Sequence, residues 1–170
     1  MKIQFAEIST QGSRYALPDA VWFPEQDLKR RADSEAAALL TRKSETKVAL
    51  YGYLRTAVEL TCDRCRGSYL QEVDSEMHLV LEFRGAESWR LRELEYRIDD
   101  LDLIELERPE IDLGDIFRQQ LYLSLPHKWL CSVECRGLCQ RCGADLNDGE
   151  CGCSKEVRNT PFAVLACLKK

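Results

Sequence analysis

Residues 46–83 read Thr46-Lys47-Val48-Ala49-Leu50-Tyr51-Gly52-Tyr53-Leu54-Arg55-Thr56-Ala57-Val58-Glu59-Leu60-Thr61-Cys62-Asp63-Arg64-Cys65-Arg66-Gly67-Ser68-Tyr69-Leu70-Gln71-Glu72-Val73-Asp74-Ser75-Glu76-Met77-His78-Leu79-Val80-Leu81-Glu82-Phe83. Val48, Leu50, Gly52 and Leu54 share one parity, while Tyr51, Tyr53 and Arg55 take the other. Beyond the break at 62–68, Tyr69, Gln71, Val73, Met77, Leu79, Leu81 and Phe83 resume the alternation. A period of two marks a strand with one buried face. Two such runs around a short polar turn predict a long antiparallel hairpin, with Cys62-Asp63-Arg64-Cys65-Arg66-Gly67 at its tip.

Toward the amino terminus, Ile3, Phe5 and Ile8 predict an opening strand, and Leu17 to Pro24 reads as a turn between Pro18 and Pro24. Residues 25–40 are rich in helix formers, so a short helix is expected there, although an apolar face develops only at Ala36 to Leu40. Toward the carboxyl terminus, 84–100 reads as a polar connector and Leu101 to Glu107 as a further strand. Asp112 is a helix N-cap candidate, with Leu113, Ile116, Phe117, Gln120, Leu121 and Ser124 following at helical spacing until Pro126. Asn159 or Thr160 would cap a last helix, with Pro161 in its first turn and Phe162, Leu165 and Leu168 on its apolar face. The expected class is α+β: a central antiparallel β region with a long hairpin, a few short helices, and a carboxyl-terminal cysteine-rich module. We expect an α+β domain over 1–126 carrying the Cys62/Cys65 tip. A metal-binding module with the final helix, over 127–170, would pack on it.

Of 170 residues, 45% are apolar, enough for a sizeable core. No apolar targeting stretch opens the chain, and no run of about 18 apolar residues could span a membrane, so a cytoplasmic location is expected. Disulfides rarely persist in a reducing compartment, so nine cysteines there point to metal or redox chemistry. The net charge of −5 excludes broad, backbone-driven nucleic-acid affinity, which needs an excess of Lys and Arg. Eight thiolates outweigh two divalent cations, so metal loading would make the chain more acidic still.

The clustered cysteines are Cys62, Cys65, Cys131, Cys135, Cys139, Cys142, Cys151 and Cys153, and Cys167 stands apart as a core residue beside Leu168. Cys-x-x-Cys pairs can place two thiolates on one Zn²⁺ in a closed tetrahedral site, and Gly143 directly after Cys142 permits the tight turn this needs. Two partitions fit the spacing. In one, Cys139, Cys142, Cys151 and Cys153 form a local site, and Cys62, Cys65, Cys131 and Cys135 form a second across a long stretch of chain. In the other, a ribbon-like site joins Cys62, Cys65, Cys139 and Cys142. An iron–sulfur cluster or redox thiols are the rival readings of the same residues. His127 is an alternative ligand, or else a solvated loop residue, while His78 reads as a strand-surface residue.

A catalytic zinc keeps an open position, usually among His or carboxylate ligands, whereas cysteine-only ligation implies a closed structural site. With only two histidines and no phosphate-cradling glycine loop or nucleophile elbow, no enzyme chemistry and no small-molecule substrate are expected. Charge is uneven: ten acidic and two basic residues lie between Glu93 and Asp115, while Arg64, Arg66, Arg136 and Arg141 border the cysteines. Solvated surface is the bland reading of both.

Leu60-Thr-Cys62-Asp-Arg-Cys65 is similar to the Cys-x-Arg-Cys signature of the YceD family, the bacterial large ribosomal RNA subunit accumulation proteins. Cys135-Arg-Gly-Leu-Cys139-Gln-Arg-Cys142-Gly-Ala-Asp-Leu-Asn147, closing with Cys151-Gly-Cys153, resembles that family's carboxyl-terminal module, and 159–170 resembles its last helix. The resemblance covers residues 46–170. Gln140 departs from it, standing where a proline is common. The resemblance implies a non-catalytic role in 23S ribosomal RNA accumulation and large-subunit biogenesis, with ribosomal RNA or a ribosome-associated protein as partner. Arg64, Arg66, Arg136 and Arg141 are the contact candidates. The rival is an interaction module docking a basic protein on the acidic 93–115 stretch.

Overall fold

The computed structural model describes residues 1–84 and 102–153. In chain order the elements are β1 (Lys2–Gln4), a 3-10 turn (Phe5–Glu7), β2 (Ser13–Ala16), α1 (Asp19–Trp22), β3 (Lys29–Arg30) and β4 (Glu35–Arg42). β5 (Lys47–Thr61), β6 (Ser68–Phe83), β7 (Leu103–Leu106), β8 (Glu110–Asp112) and α2 (Leu113–Ser124) follow. The main sheet runs β2-β4-β5-β6-β7, with β3 pairing the outer part of β5, and β1 pairs β8 in a small second sheet.

The expected hairpin is present. β5 and β6 pair antiparallel from Lys47↔Glu82 to Thr61↔Ser68, which carries the tip beyond β4, with only β3 flanking β5 near it. Its inner face, Val48, Leu50, Leu54, Val58 and Leu60 with Val73, Met77 and Leu81, is buried, as the alternation requires. Each fully buried large side chain there contributes roughly 1.5–3 kcal/mol. Phe117 and Leu121 of α2 and Trp22 of α1 close over this face, with the Trp22 and Phe117 rings edge-on at 6.5 Å. Phe117 of α2 lies over Gly52, where a Cβ would lie 2.9 Å from its ring and 3.2 Å from Met77 Cγ. Only glycine leaves room for that ring.

Asp112 caps α2 as expected, accepting from the Gly114 and Asp115 amides at 3.0 and 3.4 Å. Burial alone would raise its carboxyl pKa. The terminal ammonium 3.1 Å away and the two amides override that and hold it below the usual carboxylate range.

Four expectations are corrected. Residues 25–40 are not helical: β3 lies inside this stretch and β4 begins in it, pairing β5 over eight residues from Glu35↔Arg55 to Arg42↔Val48. Sheet hydrogen bonds and burial of Ala36, Ala38 and Leu40 on one face override helix propensity, and alternation is invisible when both faces are Ala and Leu. The central region is not wholly antiparallel, because β7 joins β6 in parallel from Val80↔Leu103 to Phe83↔Leu106. The stretch from Leu17 to Pro24 holds a helical turn, α1, which presses Trp22 into the core. The opening strand stops at Gln4, although Ile3, Phe5 and Ile8 are all buried. The connector (apart from Arg84), the last helix and Cys167 lie outside the described residues.

Candidate metal centres

The tip of the hairpin is built by its own backbone. The Cys62 amide donates to Gly67 O at 2.9 Å and the Arg66 amide to Cys62 O at 3.0 Å, with Arg66 in the left-handed region at φ 63°. This tight turn aims the sulfurs of Cys62 and Cys65 at the segment 129–135. That segment is fastened to the tip by a reciprocal pair: the Asp63 amide donates to Trp129 O at 2.7 Å, and the Trp129 amide to the Asp63 carboxylate at 2.9 Å. Arg64 completes the clamp, donating from Nη1 to the carbonyls of Val133 and Cys135 at 3.2 and 3.0 Å.

The first sulfur group is Cys62, Cys65, Cys131 and Cys135, all within 4.8 Å of one another. Cys62 Sγ lies 3.8 Å from Cys135 Sγ, and Cys65 Sγ 3.7 Å from Cys131 Sγ. Four sulfurs bonded tetrahedrally to zinc at about 2.3 Å sit about 3.8 Å apart. A disulfide would need about 2.05 Å. All eight described cysteines are unpaired, so the chemistry and spacing of this donor set fit a divalent cation of zinc's size.

The second group is Cys139, Cys142, Cys151 and Cys153, also within 4.8 Å. Its turn is local. The Cys139 amide donates to Ala144 O at 2.8 Å and the Gly143 amide to Cys139 O at 2.9 Å, while the Arg141 amide reaches Cys139 Sγ at 3.5 Å. Gly143 has φ 74°, the conformation that a tight turn around a metal demands. The structure thus gathers Cys139 and Cys142 with Cys151 and Cys153, not with the hairpin tip, and neither group includes a histidine among the described residues.

The thiols show how four sulfurs behave when crowded. The Cys62 thiol is lowered to about 6, first by the Cys65 amide and then by that of Cys131. The Cys131 thiol is pushed up to about 12, first by hydrogen bonding to Cys135. In the second group Cys139 is lowered to about 6 by the Cys142 and Arg141 amides, and Cys153 is raised to about 12, first by Cys142. The first thiolate in each group forms easily and the last is opposed by its neighbours. A divalent cation held by the four sulfurs would relieve that opposition.

Two residues join the groups. The Leu138 amide donates to Arg64 O at 3.2 Å, at the place where a Cβ on Gly137 would meet that carbonyl at 3.1 Å. Asn147 donates from Nδ2 to Cys135 Sγ at 3.4 Å and accepts the Arg136 amide at 2.8 Å. Sequence reasoning missed Asp63, Trp129 and Asn147 as parts of the site. Only the placement of Asn147 five residues after Cys142 hinted at it.

Of the four arginines, Arg64 is turned onto backbone carbonyls, Arg136 lies 4.0 Å from Glu150, and Arg66 and Arg141 are exposed. Much of the described part of the acidic stretch is engaged within the chain. Glu105 meets Arg84 at 2.7 Å, Glu110 bonds Lys2 and Gln4 at 2.8 Å each, and Asp112 caps α2. Residues 93–101 lie outside the described residues.

The long cysteine-tipped hairpin with a cysteine-rich segment docked at its tip defines the class. Residues 50–169 match the family described as large ribosomal RNA subunit accumulation protein YceD. The chain belongs to this family. It is also 26% identical over 148 residues to the Arabidopsis thaliana protein named large ribosomal RNA subunit accumulation protein YCED homolog 1, chloroplastic. That alignment covers 75% of this chain and 46% of the relative, so the chain spans about half the relative's length. No solved structure matches the chain. The family's description names an accumulation protein, not an enzymatic activity. Among the described residues, no helix is long and apolar enough to cross a membrane.

Proposed function

We propose that this chain is a non-catalytic factor that promotes accumulation of 23S ribosomal RNA and assembly of the large ribosomal subunit, by direct contact with that RNA, and that it carries two structural zinc ions. Cys62, Cys65, Cys131 and Cys135 would hold one, and Cys139, Cys142, Cys151 and Cys153 the other. The sulfur spacing of 3.7 and 3.8 Å carries the assignment at the first site, and the gathering of four sulfurs within 4.8 Å carries it at the second. Zinc bound by four thiolates is a closed site, supplying folding energy and no open coordination position. Eight unpaired thiols suit the reducing cytoplasm.

On this reading residues 1–126 are the sheet domain and 127–170 the metal-binding module docked on it through the first site. Arg66, Arg136 and Arg141 are the RNA-contact candidates near the metal. Arg64 holds the clamp. The acidic stretch is the weaker docking surface, because Glu105, Glu110 and Asp112 are already paired.

Silencing the gene in the cell that makes this chain tests the role. The ratio of large- to small-subunit ribosomal RNA should fall, and wild-type chain should restore it. An unchanged ratio overturns the reading.

A further inference from the structure

The face of the main sheet opposite the core carries no helix among the described residues. Register across four strands places Arg14, Leu39, Tyr51 and His78 in one row, and Ala16, Ala37, Tyr53 and Glu76 in the next. Tyr51 is 47% exposed and Tyr53 38%. They stand two residues apart on β5, so their rings repeat at about 6.8 Å along the strand. The alanines keep the floor low beside them and leave a shallow depression of about 510 Å³. That volume falls among those of small-molecule sites, about 300–1,000 Å³. The Tyr51 ring leans edge-on against His78 with centroids 4.4 Å apart, and Arg55 lies over the Tyr53 ring at 5.8 Å. Both rings are therefore oriented by neighbours.

We infer that this open face binds single-stranded RNA, stacking unpaired bases on Tyr51 and Tyr53. The inference rests on the ribosomal-RNA reading above and places a contact away from the cysteines. Charge and hydrogen-bonding chemistry select the occupant. Arg14 has no partner among the described residues and is placed to meet one phosphate. Glu76 has none either, and its carboxylate can accept only from donors such as the amino and imino groups on a base's Watson–Crick edge. A duplex hides those edges and keeps its ring faces inside the stack, leaving neither the tyrosines nor Glu76 a partner. Unpaired bases offer ring faces to the tyrosines and edge donors to Glu76. Stacking on exposed aromatic rings is how sheet surfaces hold single strands without a broad basic field.

The test is fluorescence anisotropy of the full, metal-loaded chain with labelled ten-nucleotide RNAs of A, C, G, U and mixed sequence, single-stranded and, for the mixed sequence, annealed to its complement. We expect single strands to bind at least about tenfold more tightly than duplex. Tyr51→Ala and Tyr53→Ala should each weaken binding roughly five- to hundredfold, with Tyr51→Phe close to wild type. Arg14→Gln should flatten the dependence of log K on log salt by about 0.7. Glu76→Gln should reorder the preference among the homopolymers and leave that slope unchanged. All four positions lie on the outer face, so melting temperatures should hold.

If both tyrosine variants bind as wild type, or if single-stranded decamers do not bind while large-subunit RNA does, this face is wrong and the ribosomal reading stands. If the wild-type chain binds neither decamers nor large-subunit RNA, direct RNA contact fails altogether and this inference falls with it. A dimer in sedimentation that Tyr51→Ala dissolves would reassign the face to self-association and overturn the proposal.

Discussion

Cys62, Cys65 and Cys135 of the first group are buried beneath Tyr69, Leu130 and Leu138 with only Cys131 exposed, whereas in the second group Cys142 is exposed and its three companions are half-buried. The first group gathers sulfurs 66 to 73 residues apart in sequence, and the second closes on itself within one short segment. Ligand chemistry is identical in the two. What differs is how much of the fold each holds. A cross-link that closes a long loop removes more freedom from the unfolded chain than one that closes a short loop. The first group should therefore behave as part of the core, and the second as a local staple whose loss is absorbed nearby.

Stepwise metal removal should separate them most widely. Native mass spectrometry should find two zinc ions per chain. A mild chelator should take the exposed site first, with little change in melting temperature. Loss of the second ion should lower it by about 10 °C or more. Simultaneous loss of both ions, or a melting curve indifferent to metal, would break the distinction. Single substitutions should reproduce the order. Cys62→Ser should destabilise by about 4 kcal/mol or more, since a buried ligand and the clamp at the tip go together. Cys142→Ser should cost about 1–2 kcal/mol, because the loop can open locally without disturbing the sheet. Chemical denaturation of both variants measures the gap.

A change in the sheet itself supplies the control. Gly52→Ala puts a methyl 2.9 Å from the Phe117 ring, so α2 must shift or its side chains must leave their rotamers. The expected loss is about 1–3 kcal/mol. Metal count should stay at two, because neither sulfur group touches this contact. A variant that also lost zinc would show the cysteine layer to depend on α2, and the separation between core and staple would need redrawing.

The contrast between the regions also marks what the sequence could tell. The β5–β6 hairpin was legible because Val48, Leu50 and Leu54, and again Val73, Met77, Leu79, Leu81 and Phe83, fall on one parity. β4 was not, since Ala36-Ala37-Ala38-Leu39-Leu40 looks the same on both faces and its composition favours a helix. The parallel pairing of β6 with β7, and that of β1 with β8 over more than a hundred residues, depends on chain crossings that no local period records. Cysteine spacing revealed eight ligand candidates but admitted two partitions. The grouping in the structure is settled by long-range contacts, Asp63 with Trp129 and Arg64 with Val133, in residues that carry no ligand signature of their own.

The smallest expected effect is the sharpest on the comparison. Asn147 sits on the second group's loop, yet its amide donates to Cys135 Sγ of the first while its carbonyl oxygen accepts the Arg136 amide. A hydrogen bond to a ligating thiolate tunes metal affinity, and losing such an outer contact typically costs 10- to 100-fold. Asn147→Ala should weaken zinc at the first site by about that factor, measured by competition with a chelator, and lower the stability of the metal-stripped chain by only about 1 kcal/mol. Its further consequence concerns coupling. In the wild type, emptying the second site should loosen the loop, withdraw the amide, and weaken the first site in turn. In Asn147→Ala that link is already cut, so the first site's affinity should no longer depend on whether the second is filled. If the dependence survives the substitution, the path instead runs through the Leu138 amide on Arg64 O, and Leu138→Pro, which removes that donor, should abolish it.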